Sequence, residues 1–177
     1  MRKIKKAVII GPESTGKSTL TKALAEAFNE PWVQEYAREY LESLERPYSY
    51  EDLLQIAKGQ IALEEKKAKS ARQLLFCDTD LHVIQVWSNH KFGETHPWIL
   101  QQIRERAYDL YFLTSIDIPW QEDPLREHPD PEMRQYFFDI YHKLLAASNT
   151  PLKVISGSPE DRLSQAIFHL TNFMGES

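Results

Sequence analysis

Cysteine is nearly missing from this chain: the single Cys77 permits no internal disulfide and no multi-cysteine zinc site. No apolar run is long enough to span a bilayer or to form the core of a signal peptide. Positive charge is not in excess, with 21 Lys and Arg against 26 Asp and Glu and a net charge of −5. No basic field therefore draws the chain to nucleic acid or to an anionic membrane. The six histidines are scattered without metal-ligand spacing. There is no internal repeat, low-complexity tract or interdomain linker. What is present is ordinary: 42% hydrophobic and 27% charged residues in 177, enough for one domain with a real core over 1–177. These features fit a cytoplasmic enzyme. The short cluster Arg2, Lys3, Lys5 and Lys6 reads as the solvated start of a strand, and Cys77, inside an apolar run, as a small buried hydrophobe.

The chain is organised around residues 7–18, Ala-Val-Ile-Ile-Gly-Pro-Glu-Ser-Thr-Gly-Lys-Ser. Ala7 to Ile10 form an unbroken apolar run, the pattern of a central strand buried on both faces. Gly-x-x-x-x-Gly-Lys-Ser follows, and then an amphipathic stretch with Leu20, Ala23, Leu24, Ala27 and Phe28 on one face. Gly11 and Gly16 let the backbone turn tightly and bring its N–H groups to a phosphate. Glu13, Ser14, Thr15 and Thr19 complete the loop. Lys17 can reach the β- and γ-phosphates, Ser18 can hold Mg²⁺, and the helix aims its positive end at the same anion. In this context the motif points to nucleotide binding.

Apolar strand-like runs recur around 31–34 and at 74–77, 108–114 and 152–155, with helix-like segments between them. That alternation predicts an α/β fold, a parallel sheet with helices on both faces. Ligands in such sheets bind beyond the carboxyl ends of strands. Glu35 and Arg38, just after the second strand, therefore lie where a phosphate acceptor would sit, though both also suit an exposed helix start. Residues 50–72 read as a long helix with Tyr50, Leu53, Leu54, Ala57 and Ile61 on one face, and Glu65 and Lys69 as a solvated pair. Leu74 to Cys77 lead into Asp78-Thr79-Asp80, a Walker B-like strand end for orienting Mg²⁺. In extended geometry Asp78 and Asp80 point the same way. Residues 81–106 look helical but broken near Gly93 and Pro97. Beyond the strand at 108–114, a proline- and charge-rich stretch reads as a lid at about 117–135, where Arg126, or else Arg134, supplies a cation to a transferring group. Asp130 and Pro131 suit a helix start, with Met133, Phe137, Ile140, Leu144 and Leu145 on its apolar face. Ser158 stands where an adenine base would meet backbone and also suits the cap of the last helix ahead of Pro159, and both can hold together.

Taken together, Gly-Pro-Glu-Ser-Thr-Gly-Lys-Ser at 11–18, Glu-Tyr-Ala-Arg-Glu-Tyr at 35–40, Asp-Thr-Asp at 78–80, and Trp120, Asp123 and Arg126 resemble the nicotinamide riboside kinase domain of the NadR family. The resemblance runs over nearly the whole chain. It implies a P-loop nucleoside-kinase-like fold with a five-stranded parallel sheet. It also implies transfer of the γ-phosphate of ATP, with Mg²⁺, to the 5′-hydroxyl of nicotinamide riboside. Two positions depart from the family pattern. An aromatic that stacks on the pyridine is replaced by Gln34, and the lid reads Asp123-Pro124 instead of Asp-Gly. No His-x-Gly-His adenylyltransferase signature occurs, so the kinase step alone is expected.

The expected roles follow. The triphosphate is held by Lys17 and the loop from Gly11 to Thr19, Mg²⁺ by Ser18 and Asp78. Asp80 or Glu35 binds the ribose and takes the hydroxyl proton, and Arg126 faces the transferring group. Glu35, Tyr36, Arg38, Asp80, Trp87 and Trp120 are acceptor contacts, with Trp32, Tyr36, Trp87 and Phe92 the available walls for a flat cationic ring. The rival readings are a pyrimidine or deoxyribonucleoside kinase and a slowly hydrolysing regulatory ATPase. The partner is a small nucleoside, with no nucleic acid and no membrane, and a homo-oligomer is left open.

Overall fold

A computed structural model describes residues 4–175; Arg2 and Lys3 of the basic cluster lie outside the described residues. The first strand, β1 (Lys5–Ile10), runs into the phosphate-loop segment and α1 (Lys17–Phe28). After it come β2 (Trp32–Val33), α2 (Tyr36–Glu42), α3 (Tyr50–Ala68) and β3 (Leu74–Asp78). Next are α4 (Leu81–Phe92), α5 (Pro97–Glu105), β4 (Leu110–Thr114), α6 (Pro131–Ala146), β5 (Leu152–Ile155) and α7 (Pro159–Gly175). The five strands form one sheet in the order β2-β3-β1-β4-β5, with every pairing parallel. This is the α/β architecture that the alternating pattern predicts.

β1 sits at the centre between β3 and β4, and its run from Ala7 to Ile10 is buried on both faces, as those two strands are. Ala7 and Ile9 point to one side, where Leu20 and Leu24 of α1 and Ala166 and Leu170 of α7 pack with Phe76 and Phe112. Val8 and Ile10 point to the other, against Val83 and Val86 of α4 and Phe137, Tyr141 and Leu145 of α6. A third cluster joins α2, α3, α4 and α5 through Ala37, Leu53, Ile56, Ile84 and Ile99. Cys77 is buried as a small hydrophobe, and burial pushes its thiol well up from the usual value.

Several element details differ from the sequence pattern. In α1 the buried stripe includes Thr21 and Ala25, while Ala27 is exposed. Thr21 can be buried because its hydroxyl donates to the Lys17 carbonyl at 2.7 Å. The long helix stops at Ala68, and Glu65 pairs with Arg106 at 3.3 Å. Its start is fixed by a capping box between Ser49 and Asp52. The break expected near Gly93 is real: Gly93 ends α4 in a left-handed conformation, and Pro97 opens α5 after the His96 cap. Asp130 and Pro131 start α6 as their types suggest, with the Asp130 side chain accepting from the Glu132 N–H. Lys6 is anchored to the buried Glu64 carboxylate at 2.8 Å and Lys5 to Asp109 at 3.5 Å, so this part of the basic cluster is paired.

Candidate active site

The loop between β1 and α1 takes its shape from a few local requirements. Gly11 has φ +156 and faces Thr114 so closely that a Cβ would strike the threonine side chain and carbonyl. Gly16, at φ +76, is the last residue before α1. Ser14 is also left-handed, at φ 56, an uncommon conformation for a residue with a Cβ. The Thr15 hydroxyl donates to the Pro12 carbonyl at 2.7 Å, and Thr15 and Thr114 Oγ1 atoms lie 2.7 Å apart. Lys17 Nζ folds across the loop to the Pro12 carbonyl at 2.8 Å. The result is a backbone cradle at the positive end of α1, opening into a cavity of about 430 Å³ that runs from Gly11 and Lys17 to Glu35, Arg38 and Trp87.

Three acidic residues behave differently around this cavity. Asp78 ends β3, accepts a hydrogen bond from Ser18 Oγ through Oδ2, and leaves Oδ1 buried with no partner. Burial pushes its carboxyl up, with Ser18 and Lys17 opposing. A buried, half-satisfied carboxylate beside a hydroxyl and a phosphate cradle suits a divalent cation. Among the described residues no group of three His, Cys, Asp or Glu side chains could hold a metal by itself. Glu35 lines the cavity, and burial followed by the Asp78 carboxylate pushes its own carboxyl up to about 7.

Asp80 does not share this face, contrary to the extended-strand expectation. The strand stops at Asp78, and Thr79 is left-handed at φ 69, which breaks the two-residue alternation. Asp80 turns inward and caps α4. Its carboxylate accepts from the His82 N–H at 3.0 Å and Tyr111 Oη at 2.7 Å, and lies 2.8 Å from His82 Nδ1. Burial opposes ionisation there, but His82 and Tyr111 hold the carboxyl below its usual value. The lining of the cavity includes Glu35 and Ser18 and leaves both Asp78 and Asp80 out; Asp78 meets the cavity through Ser18, and Asp80 has no such contact.

The connection between β4 and α6 folds over the loop. Arg126 lines the cavity and donates from Nη1 to the Gln121 carbonyl at 2.5 Å and to Ser14 Oγ at 3.4 Å. Arg38 reaches across from α2 to Asp123 at 3.0 Å, while Asp123 also accepts the Leu125 N–H at 2.9 Å. Arg134 is buried and spent on backbone, donating to the Ser14 and Ile118 carbonyls, so of these two arginines it is Arg126 that faces the cavity. Trp120 is not part of the lining. Its ring stands between the guanidinium groups of Arg126 and Arg134, at 6.0 and 5.9 Å.

Of the four candidate aromatic walls, Trp87 alone lines the cavity; Tyr141 and Phe137, which sequence reasoning overlooked as walls, join it. Tyr36 turns its ring into α3, into the space left by Gly59. Phe92 packs edge-on against Tyr48 and Tyr50, and Trp32 sits under Lys22 on the other side of the sheet. Ser158 serves as a cap: its Oγ accepts the Asp161 N–H at 3.1 Å and donates to Asp161 Oδ2 at 2.8 Å, while Pro159, Glu160 and Arg162 face the cavity. Arg162 is the larger omission. It is buried, bonds the Thr15, Gly157 and Ser115 carbonyls and pairs with Asp117. Its sequence signal is an arginine on the apolar stripe of α7, beside Leu163 and Ala166.

This geometry defines a phosphate-loop protein whose cavity continues from the loop to Glu35, Arg38 and Trp87. A family model described as an AAA domain matches residues 6–162, and the chain belongs to that family. The resemblance read from the motifs is also found by direct comparison. The chain is 30% identical to the trifunctional NAD biosynthesis/regulator proteins NadR of Salmonella typhimurium and Escherichia coli, over 98% of its own length and 43% of theirs. It thus spans less than half the length of these relatives. Its fold is similar to a NadR protein in complex with NR (TM-score 0.81, 24% identity) and to one in complex with NAD and AMP-PNP (TM-score 0.77, 23% identity). Each match covers 97% of this chain and 50% of the other. Among the described residues no helix is long and apolar enough to cross a membrane.

Proposed function

We propose that this chain is an ATP-dependent kinase that phosphorylates the 5′-hydroxyl of nicotinamide riboside. The observation that carries the reading is one continuous cavity with a phosphate cradle at one end and Glu35, Arg38 and Trp87 at the other. The similarity to NadR proteins, with structures described as complexes with NR and with AMP-PNP, supports both halves of it. In this reading Lys17 and the loop amides hold the triphosphate. Mg²⁺, held by Ser18 and Asp78, supplies charge neutralisation on the phosphate oxygens. Glu35 orients the ribose and accepts the hydroxyl proton as the phosphoryl group passes from ATP to the 5′-oxygen, leaving ADP. Asp80, with both oxygens already engaged, acts as scaffold. Arg126 faces the charge that develops on the transferring group. Trp87, with Tyr141 and Phe137, walls the base in place of the aromatic that Gln34 replaces; the Gln34 side chain is exposed and points to Glu39 at 3.4 Å.

The test is acceptor-dependent ADP release across a nucleoside panel. Nicotinamide riboside should exceed every uncharged pyrimidine nucleoside in kcat/KM. Equal or better use of uridine or thymidine would leave only the nucleoside-kinase class. Slow ADP release indifferent to all nucleosides would favour a regulatory ATPase.

A further inference from the structure

We propose that Glu13, at a variable position of the phosphate-loop motif, is a latch that fixes the lid to the loop and thereby positions Arg126. The Glu13 Oε2 atom accepts two consecutive lid amides, from Glu127 at 3.1 Å and His128 at 3.2 Å. One residue further, Ser14 Oγ accepts the Gln121 N–H at 2.8 Å and the Arg126 guanidinium at 3.4 Å. The Ser14 carbonyl accepts from Arg134, the first buried arginine of α6. Two neighbouring loop residues therefore hold both ends of the segment that carries Arg126. A carboxylate oxygen taking two backbone N–H groups is a charge-assisted contact with defined direction. It forms only when residues 127 and 128 lie directly over the loop, whose own amides would surround a phosphate. Lid position is thus referred to the nucleotide site itself, alongside the Arg38–Asp123 pair that ties the same segment to α2. Glu13 also lines a second cavity of about 230 Å³, where Tyr48, His90 and Lys91 lie beyond Trp87. The latch stands at the seam between the two spaces, where an open lid would admit water.

The proposal builds on the kinase reading, but its central measurement does not need an acceptor. Amide hydrogen exchange should show Glu127 and His128 protected in the wild type. In Glu13→Ala that protection should fall by about tenfold or more, the scale of losing a hydrogen bond to a charged group, while β1 and β3 amides are unchanged. Glu13→Gln should keep much of the protection, because an amide oxygen still accepts both N–H groups. Glu13→Asp, one methylene shorter, should lose it despite keeping the charge. Turnover should follow the same order: kcat for transfer falls about tenfold in the Ala and Asp variants with little change in the KM for ATP. ATP hydrolysis without acceptor should rise relative to transfer, as water enters. Unchanged protection in Glu13→Ala, or an Asp variant that behaves as wild type while Gln fails, would overturn the latch and make Glu13 a charge contact. If the wild type ignores nicotinamide riboside, the substrate reading fails alone, and the exchange pattern still decides the latch.

Discussion

The Asp78 carboxylate sits close enough to resist the ionisation of Glu35, and that repulsion is useful chemistry. Asp78 has one oxygen on Ser18 and the other without a partner, so Asp78→Asn should raise the Mg²⁺ concentration needed for half-maximal turnover at least about tenfold. A Mg²⁺ titration at saturating ATP checks it. Glu35, pushed up to about 7 by burial and Asp78, should make kcat/KM climb as pH rises through about 7, because a proton acceptor must be ionised. The same shift acts on stability with a set sign. Between the ordinary 4.5 and about 7 the folded state keeps a proton that the unfolded state has lost. Stability is therefore present below that window and is lost as pH rises through it. Glu35→Gln should flatten both profiles, measured by pH–rate curves and by melting at several pH values. The shape of the loop and the Ser18–Asp78 contact were legible in the sequence because a strand, a glycine-bounded turn and a helix beside an acidic strand end make a recognisable local pattern. Asp80 was not, because a single left-handed Thr79 decides where it points, and no local pattern announces that turn.

At the level of elements, α2 and α3 are fitted through a missing side chain. The Tyr36 ring occupies the space beside Gly59, so Gly59→Ala should destabilise the fold by about 1–3 kcal/mol despite alanine's better helix propensity. Denaturant unfolding checks this, and adding Tyr36→Leu should recover part of the loss. Arg162 is the corresponding fixture of α7. Removing it in Arg162→Met would leave the Thr15, Gly157 and Ser115 carbonyls without their donor, a loss of about 1–3 kcal/mol for unsatisfied buried acceptors, to which the solvent-exposed Asp117 carboxylate adds little. ATP affinity should drop with it, since Thr15 belongs to the cradle. Periodicity made most helices legible, including the break at Gly93 and the start at Asp130. It missed the inward roles of Arg134 and Arg162, because a charged side chain on an apolar stripe is satisfied only by carbonyls from remote segments.

Taken whole, the molecule joins the phosphate-loop cradle and the Glu35–Trp87 end of its cavity at the carboxyl ends of its strands, with β1 in the middle. A parallel sheet was foreseeable from alternating strands and helices; the aromatic wall was only partly so. Trp87 was among its candidates, whereas Tyr141 and Phe137 come from α6, whose apolar face reads like core. Replacing Trp87 with Ala should therefore cost about tenfold to a hundredfold in nicotinamide riboside affinity, the worth of one stacking surface, while ATP affinity holds. Equilibrium binding of each ligand separates the two. The placement of β1 has a further consequence, for the order in which the molecule can be assembled. Its hydrogen-bonding partners arrive only with residues 74–78 and 110–114, and the carbonyl of Thr15 waits for Arg162. Pairings this far apart in sequence carry a large loop-closure cost and form slowly. Within residues 4–175 the motif synthesised earliest is thus among the last to become functional, and a nascent chain halted before α7 should show strand-like order without retaining ATP.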